Sequence, residues 1–301
     1  MKNIIITLLV IIIVGSGIYF LMSDSSIDEN ALYQNEVIDT TLIPKDEPLI
    51  AEEDKSETII GKSVEGRNVT AYHYGTGDTE ILFIGGIHGG YEWNTTLLAR
   101  EASDYLKINP NVIPANIKVT IISVLNPDGL NKVVGTADVF KATDAPTVEA
   151  DTIPGRFNAN EVDLNRNFDC DWEATGTWRN KTVSGGSQAF SEPEAQAIRN
   201  YVETHQPKAV VVWYSAAGGV YASSCNNIIL TETSTLTKTY ATASGYKGYE
   251  EFDSYAITGD IANWLAKINI PAISVLLTNH SDTEWSKNLA GIEAVLKLYA
   301  K

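Results

Sequence analysis

Two apolar strands constrain this chain most. Ala209 to Trp213 and Ala272 to Leu277 run almost without a polar residue, as strands do when helices bury both faces of a sheet. A strand with one wet face would alternate instead. Glu80 to Ile84 reads as a third buried strand, while Asn68 to Tyr74 alternates and Ile117 to Val124 adds another. Helical spacing over Asn94 to Lys107, through Leu97, Leu98, Ala102 and Leu106, and a closing helix over Glu284 to Tyr299 complete the pattern. From Thr58 onward the alternation predicts an α/β domain whose sheet is covered by helices on both faces. Ser191-Glu192-Pro193-Glu194 predicts a helix start, with a capping Ser three residues before Glu and Pro in the first turn, and Gln206-Pro207 ends that helix.

The first 57 residues read differently. After Lys2, Ile4 to Met22 carries no charge, about 28 Å as a helix at roughly 1.5 Å per residue, enough to span a bilayer. Gly15-Ser16-Gly17 offers the small residues of a signal-peptide cleavage site, but the apolar run continues through Ile18 to Met22, which favours an uncleaved anchor over 1–23. Lys2 before it and acids after it orient the bulk of the chain outside the cytoplasm; secretion after cleavage is the alternative. Residues 24–57 hold 11 acids against 2 lysines, so this linker carries −9 of the formal −16. The remainder, a domain over 58–301, lacks the clustered Lys and Arg that phosphate binding needs, which argues against nucleic acid as a partner. The two cysteines, Cys170 and Cys225, suit one disulfide in an oxidising compartment, though spacing alone does not settle whether they pair.

Chemistry gathers beyond the strand ends. Gly85-Gly86-Ile87-His88-Gly89-Gly90-Tyr91-Glu92-Trp93 sets an imidazole and a carboxylate on a glycine-rich turn, a donor set that suits Zn²⁺. By themselves these residues equally describe a Gly-Gly turn with a surface His and a helix-starting Glu. Four further clusters follow strands: Asn126-Pro127-Asp128-Gly129, Arg156, Val162-Asp163-Leu164-Asn165-Arg166-Asn167-Phe168, and Tyr255 with Thr258-Gly259-Asp260. Asn126 to Gly129 is a turn sequence whether or not a site adjoins it, and Arg166 with Asp163 suits an internal ion pair equally well.

In this order, with the VDLNRNF string, NPDG and SEPEAQAI, the series resembles the zinc carboxypeptidase family, the carboxypeptidase A-like exopeptidases, over nearly all of 58–301. The resemblance implies a mixed, largely parallel twisted sheet, zinc as cofactor, and peptide C-termini as substrates, cell-wall peptides among them. It also implies His88 and Glu92 as metal ligands, Asn165 and Arg166 as holders of the terminal carboxylate, Arg156 as oxyanion stabiliser and Tyr255 as the mobile tyrosine closing over the bound terminus. Arg suits that carboxylate because its planar fork matches two oxygens.

Three departures bear on activity. Tyr214 stands where the family places its third zinc ligand, a histidine, and a phenol of pKa near 10 is a poor ligand at neutral pH. Leu276 stands where the general-base glutamate belongs, and a leucine cannot take a proton from water. His88 and Glu92 are separated by three residues where the family has two. His280 projects to the same side as Leu276 in strand alternation and is the best substitute ligand; a plain loop histidine is the alternative, and His73 and His205 are less well placed. Two functions from different classes follow: a tethered zinc carboxypeptidase with a rearranged metal site, or a peptidase-fold module that binds peptide C-termini without cleaving them.

Overall fold

The computed structural model describes residues 56–301. The segment 1–23 and nearly all of the acidic linker therefore lie outside the described residues, and among those described no helix is long and apolar enough to cross a membrane.

Among the described residues ten strands form, β1 (Glu57–Lys62), β2 (Asn68–Tyr74), β3 (Thr79–Ile84), β4 (Ile117–Ile122), β5 (Thr175–Trp178), β6 (Lys181–Ser184), β7 (Ala209–Ser215), β8 (Gly219–Ala222), β9 (Gly248–Tyr249) and β10 (Ala272–Leu277). Eight make one sheet in the order β1-β2-β4-β3-β7-β10-β8-β9, and β5 with β6 forms a separate hairpin. The central strands β4, β3, β7 and β10 are parallel, and β2 and β8 flank them antiparallel, so the sheet is mixed with a parallel centre.

The helices of seven residues or more among those described are α1 (Trp93–Ile108), α2 (Pro127–Val134), α3 (Pro193–His205), α4 (Thr231–Ser244), α5 (Ile261–Lys267) and α6 (Trp285–Tyr299). Strand pleating explains the apolar runs. Ile81, Phe83, Val211 and Trp213 point to one face, where they pack with Leu98 and Ala102 of α1, Leu236 and Tyr240 of α4, and Ile292 and Val295 of α6. Leu82, Ile84, Val210, Val212 and Tyr214 point to the other, with Ile198 and Val202 of α3 and Trp264 and Leu265 of α5. Each successive side chain meets an apolar layer, so a polar residue has no wet face to occupy.

Two local expectations need correction. The N-cap of α3 is Glu192 and makes no side-chain cap bond, so Ser191 and Glu194 form no capping box. Glu194 instead accepts from Val64 N and Asn158 Nδ2, and Ser191 Oγ donates to Glu192. These carboxylates are drawn into the contact between α3 and the loop at 158–163. Asn126, by contrast, starts a helix: its Oδ1 accepts from Gly129 N and Pro127 occupies the first turn of α2.

Because β4, β3, β7 and β10 run the same way, their C-terminal ends share one edge. The segments after them, at 85–92, 123–129, 215–217 and 278–280, are therefore neighbours, the usual place for a ligand in a sheet of this kind.

Candidate active site

The opening turn closes only with glycine. Gly86 and Gly89 have φ of 61° and 42°, and a Cβ on Gly89 would lie 2.7 Å from both Leu130 N and Gly155 O. Gly89–Glu92 then winds as one 3₁₀ turn ahead of α1. On that turn a spacing of four brings His88 Nδ1 within 3.0 Å of Glu92 Oε1, both side chains buried, so the additional residue is absorbed. Both ring nitrogens and Glu92 Oε2 are buried without a hydrogen-bond partner. Buried polar atoms rarely stay unpaired, and two donors converging this way suit a cation between them.

Asp163 ties this pair to Arg156. Its Oδ1 lies 3.3 Å from His88 Nε2 and accepts from Asn165 N, while Oδ2 takes Arg156 Nε at 2.9 Å and Nη2 at 2.8 Å. Burial alone would raise the Asp163 carboxyl, but the Arg156 charge, then His88 and Arg166, hold it well below the usual carboxylate range. Arg156 also lies 4.5 Å over the Trp178 ring. The ion-pair alternative thus holds for Asp163, with Arg156 as its partner and not Arg166.

Arg166 is held differently. Its Nη1 donates to Asn165 O and its Nη2 to Thr177 O, each at 2.7 Å, and it has no carboxylate partner within ion-pair distance among the described residues. It is 1% exposed, and its Nε is buried without a partner. Two glycines cradle it: a Cβ at Gly176 would meet its side chain at 2.6 Å and one at Gly259 its carbonyl at 2.2 Å. Tyr255 covers it, the ring 5.9 Å from the guanidinium carbon. Arg156, Asn165, Arg166, Tyr255, His88 and Glu92 all line one cavity of about 640 Å³.

The replaced positions are neighbours. Tyr214 and Leu276 pair in the parallel register of β7 and β10 and both join the apolar layer facing α5. The Tyr214 hydroxyl donates to Asn165 Oδ1 at 3.2 Å, and Asn165 Nδ2 donates to Asp260 Oδ2 at 2.8 Å. Burial, then the charges of Asp260 and Glu92, push the phenol well above 10, so it stays neutral.

His280 sits beside Ser215, its Nδ1 2.9 Å from Ser215 Oγ and its ring 4.7 Å from that of Tyr91. Asn94 fixes the proton positions. Its Nδ2 donates to Asn279 O and Asp282 O, so its Oδ1 must accept from Ser215 Oγ, and Ser215 then accepts from His280 Nδ1. Nε2 of His280 is left with its lone pair, and burial lowers the imidazole below its ordinary value, keeping it neutral. Two nearby carboxylates are engaged elsewhere: Asp260 caps α5 through Asn263 N, and Glu284 accepts from Thr278 N and Tyr246 Oη.

These residues do not complete a zinc site. Catalytic zinc takes three protein ligands, and His88 and Glu92 supply two. Among the described residues, the one group of three His, Cys, Asp or Glu ligand atoms lying within 4.8 Å of one another is Cys170, Asp171 and Cys225. Both thiols there are consumed by the Cys170–Cys225 disulfide, which the structure forms. His280 therefore does not join His88 and Glu92, and Tyr214 offers only a neutral phenol.

Sequence reasoning missed Trp178, which stacks on Arg156 from a four-residue strand with no distinguishing signal, and the linking role of Asp163, whose place in the VDLNRNF string was the available clue.

A mixed sheet of this order, with a histidine and glutamate after β3 and an arginine pocket at the same edge, defines the metallocarboxypeptidase class. The profile described as zinc carboxypeptidase matches residues 51–286, and the chain belongs to that family. Among solved structures it resembles a murein-tripeptide amidase from Escherichia coli O157 at 20% identity and TM-score 0.56, covering 82% of this chain and 93% of that one. It also resembles carboxypeptidase A from Helicoverpa armigera at 20% identity and TM-score 0.62, covering 80% and 66%, and bovine thrombin-activatable fibrinolysis inhibitor at 15% and 0.63, covering 80% and 89%. At these identities the likeness concerns the fold.

Proposed function

We propose that this chain binds the free C-terminal carboxylate of peptides at Arg166, and that its residues do not carry the family's zinc-and-glutamate hydrolysis. The observation that supports this reading best is Arg166 itself, a cation 1% exposed with no acidic partner and an unpaired Nε, lining a cavity. A buried charge without a counter-charge is costly, and a ligand carboxylate resolves it. Tyr255 covers the same guanidinium, in keeping with a closing tyrosine, and Tyr214 with Leu276 supports loss of turnover. The site acts outside the cytoplasm, tethered through the N-terminal segment; the disulfide supports an oxidising compartment. Cell-wall peptides are one source of such termini there.

The test is metal content of the purified protein after equilibration with Zn²⁺, together with mass spectrometry of peptides incubated with it. Sub-stoichiometric zinc and no released residue support the binding module. The free Nε2 lone pair of His280 favours a second reading, a hydrolase in which His280 serves as proton acceptor. Stoichiometric zinc lost in H88A, with release of C-terminal residues abolished in H280A, would establish that one instead.

A further inference from the structure

Tyr255 stands at the end of a row of rings. Tyr249 and Tyr221, paired in the parallel register of β9 and β8, stack with centroids 4.6 Å apart and planes 7° from parallel. Phe252 meets Tyr221 edge-on at 5.5 Å, and Tyr255 meets Phe252 edge-on at 4.9 Å. From there Tyr255 lies over Arg166 and packs against the cluster of Tyr91, Trp178 and Val183. At the outer end Lys247 Nζ sits 4.7 Å from the Tyr249 ring. The sequence leaves room for this row at Gly219 on β8. A Cβ there would come within 2.7 Å of the Tyr249 ring and 3.1 Å of the Tyr221 ring, so any side chain would push the stacked pair out of place.

Little else holds the segment that carries Tyr255. Among the described residues, 251–257 shares no hydrogen bond with the rest of the chain, and the backbone is next tied down at Gly259, whose N–H donates to Cys170 O and whose carbonyl accepts from Phe168 N. A segment with so few hydrogen bonds belongs to the low-stability end of a fold and opens locally at small cost. Ring contacts therefore set how long Tyr255 stays over Arg166. Tyr221 and Phe252 line the cavity themselves, whereas Tyr249 is not among its lining residues and reaches the pocket only through the other two rings.

We infer that Tyr221 and Tyr249 are positioning residues that latch Tyr255 over Arg166 and so govern how fast the pocket opens. Each ring contact favours the latched position by about two- to tenfold. The consequence for ligand release rests on the C-terminal carboxylate reading above; the latch is defined by Tyr255 and Arg166 alone.

Phenylglyoxal, which modifies accessible guanidinium groups, reads the latch on the full chain without a ligand. The rate at Arg166 relative to Arg156, mapped by peptide mass spectrometry, is expected to rise about two- to tenfold in Tyr249→Ala and to keep the parent value in Tyr249→Phe, which retains the ring. Arg156 is the control because its pairing with Asp163 does not involve Tyr255, so general loosening would speed both and leave the ratio unchanged. In a Tyr255→Ala background Tyr249→Ala adds nothing, because the row then has no lid to hold. Stopped-flow dissociation of one short free-acid peptide follows the same order, about two- to tenfold faster from Tyr249→Ala than from the parent. An unchanged ratio in Tyr249→Ala, or an equal rise in the Tyr255→Ala background, overturns the latch and leaves the carboxylate reading standing. A ratio that follows the latch while free-acid and amide peptides bind alike supports the latch and overturns the carboxylate reading.

Discussion

Replacing Arg166 by Met separates folding from recognition. The guanidinium donates to Asn165 O and Thr177 O and is otherwise unpaired at 1% exposure. Met keeps much of the volume and removes the charge. Losing two hydrogen bonds from a charged donor costs roughly 1.5–3 kcal/mol each, while removing an unpaired buried cation recovers several kcal/mol of desolvation, so the terms oppose. Net stability should change by no more than about 2 kcal/mol, read as a shift in the urea midpoint at unchanged slope. Binding has no such compensation. A ligand carboxylate loses two charge-assisted bonds, about 3 kcal/mol at the low end, which raises Kd roughly 150-fold. Calorimetry with a free-acid peptide measures this directly. A folded R166M protein that binds the peptide as tightly as the parent would refute the assignment of Arg166.

Other outcomes follow from the same geometry. Tyr214→His combined with Leu276→Glu restores the two missing groups side by side on β7 and β10, and should bring stoichiometric zinc by metal analysis and release of C-terminal residues by chromatography, with neither expected of the parent. Changing both Cys170 and Cys225 to Ser opens a loop of sequence separation 55 and should cost about 4 kcal/mol in chemical unfolding; an unchanged midpoint would contradict it. His280 should titrate below 6.5 by proton NMR because burial disfavours its charged form. The unfolded chain then takes up a proton before the folded one, so stability is intact above pH 6.5 and declines as pH falls toward the folded-state pKa, a slope that H280Q should lack.

Much of the fold was legible because its centre is dry on both sides. Asn68–Tyr74 and Ala272–Leu277 match their predicted bounds, and Ala209–Ser215 extends its prediction by two residues. What escaped lacks that signal. Helix α4 is spelled TETSTLTKTYATAS, with six threonines of weak helix propensity, and it stands because Leu236, Tyr240 and Ala241 pack into the layer it covers. The β5–β6 hairpin has four-residue strands, too short for a pattern. At the site, residue types named the carboxylate pocket, but not the partners. That Asn165 spends its amide on Tyr214 and Asp260, or that His280 faces Ser215 and not Glu92, depends on side-chain geometry between segments far apart in sequence. The four-residue spacing of His88 and Glu92 was readable as an anomaly; the 3₁₀ turn that reconciles it was not.

Terminal-carboxylate recognition at Arg166 should need no bound zinc. Titrating one peptide as free acid and as C-terminal amide, in the presence of a strong chelator, measures this. The free acid should bind, the amide should not, and the recovered peptide should be intact. Binding that disappears with the chelator and returns with added Zn²⁺, or a peptide shortened by one residue, would contradict it.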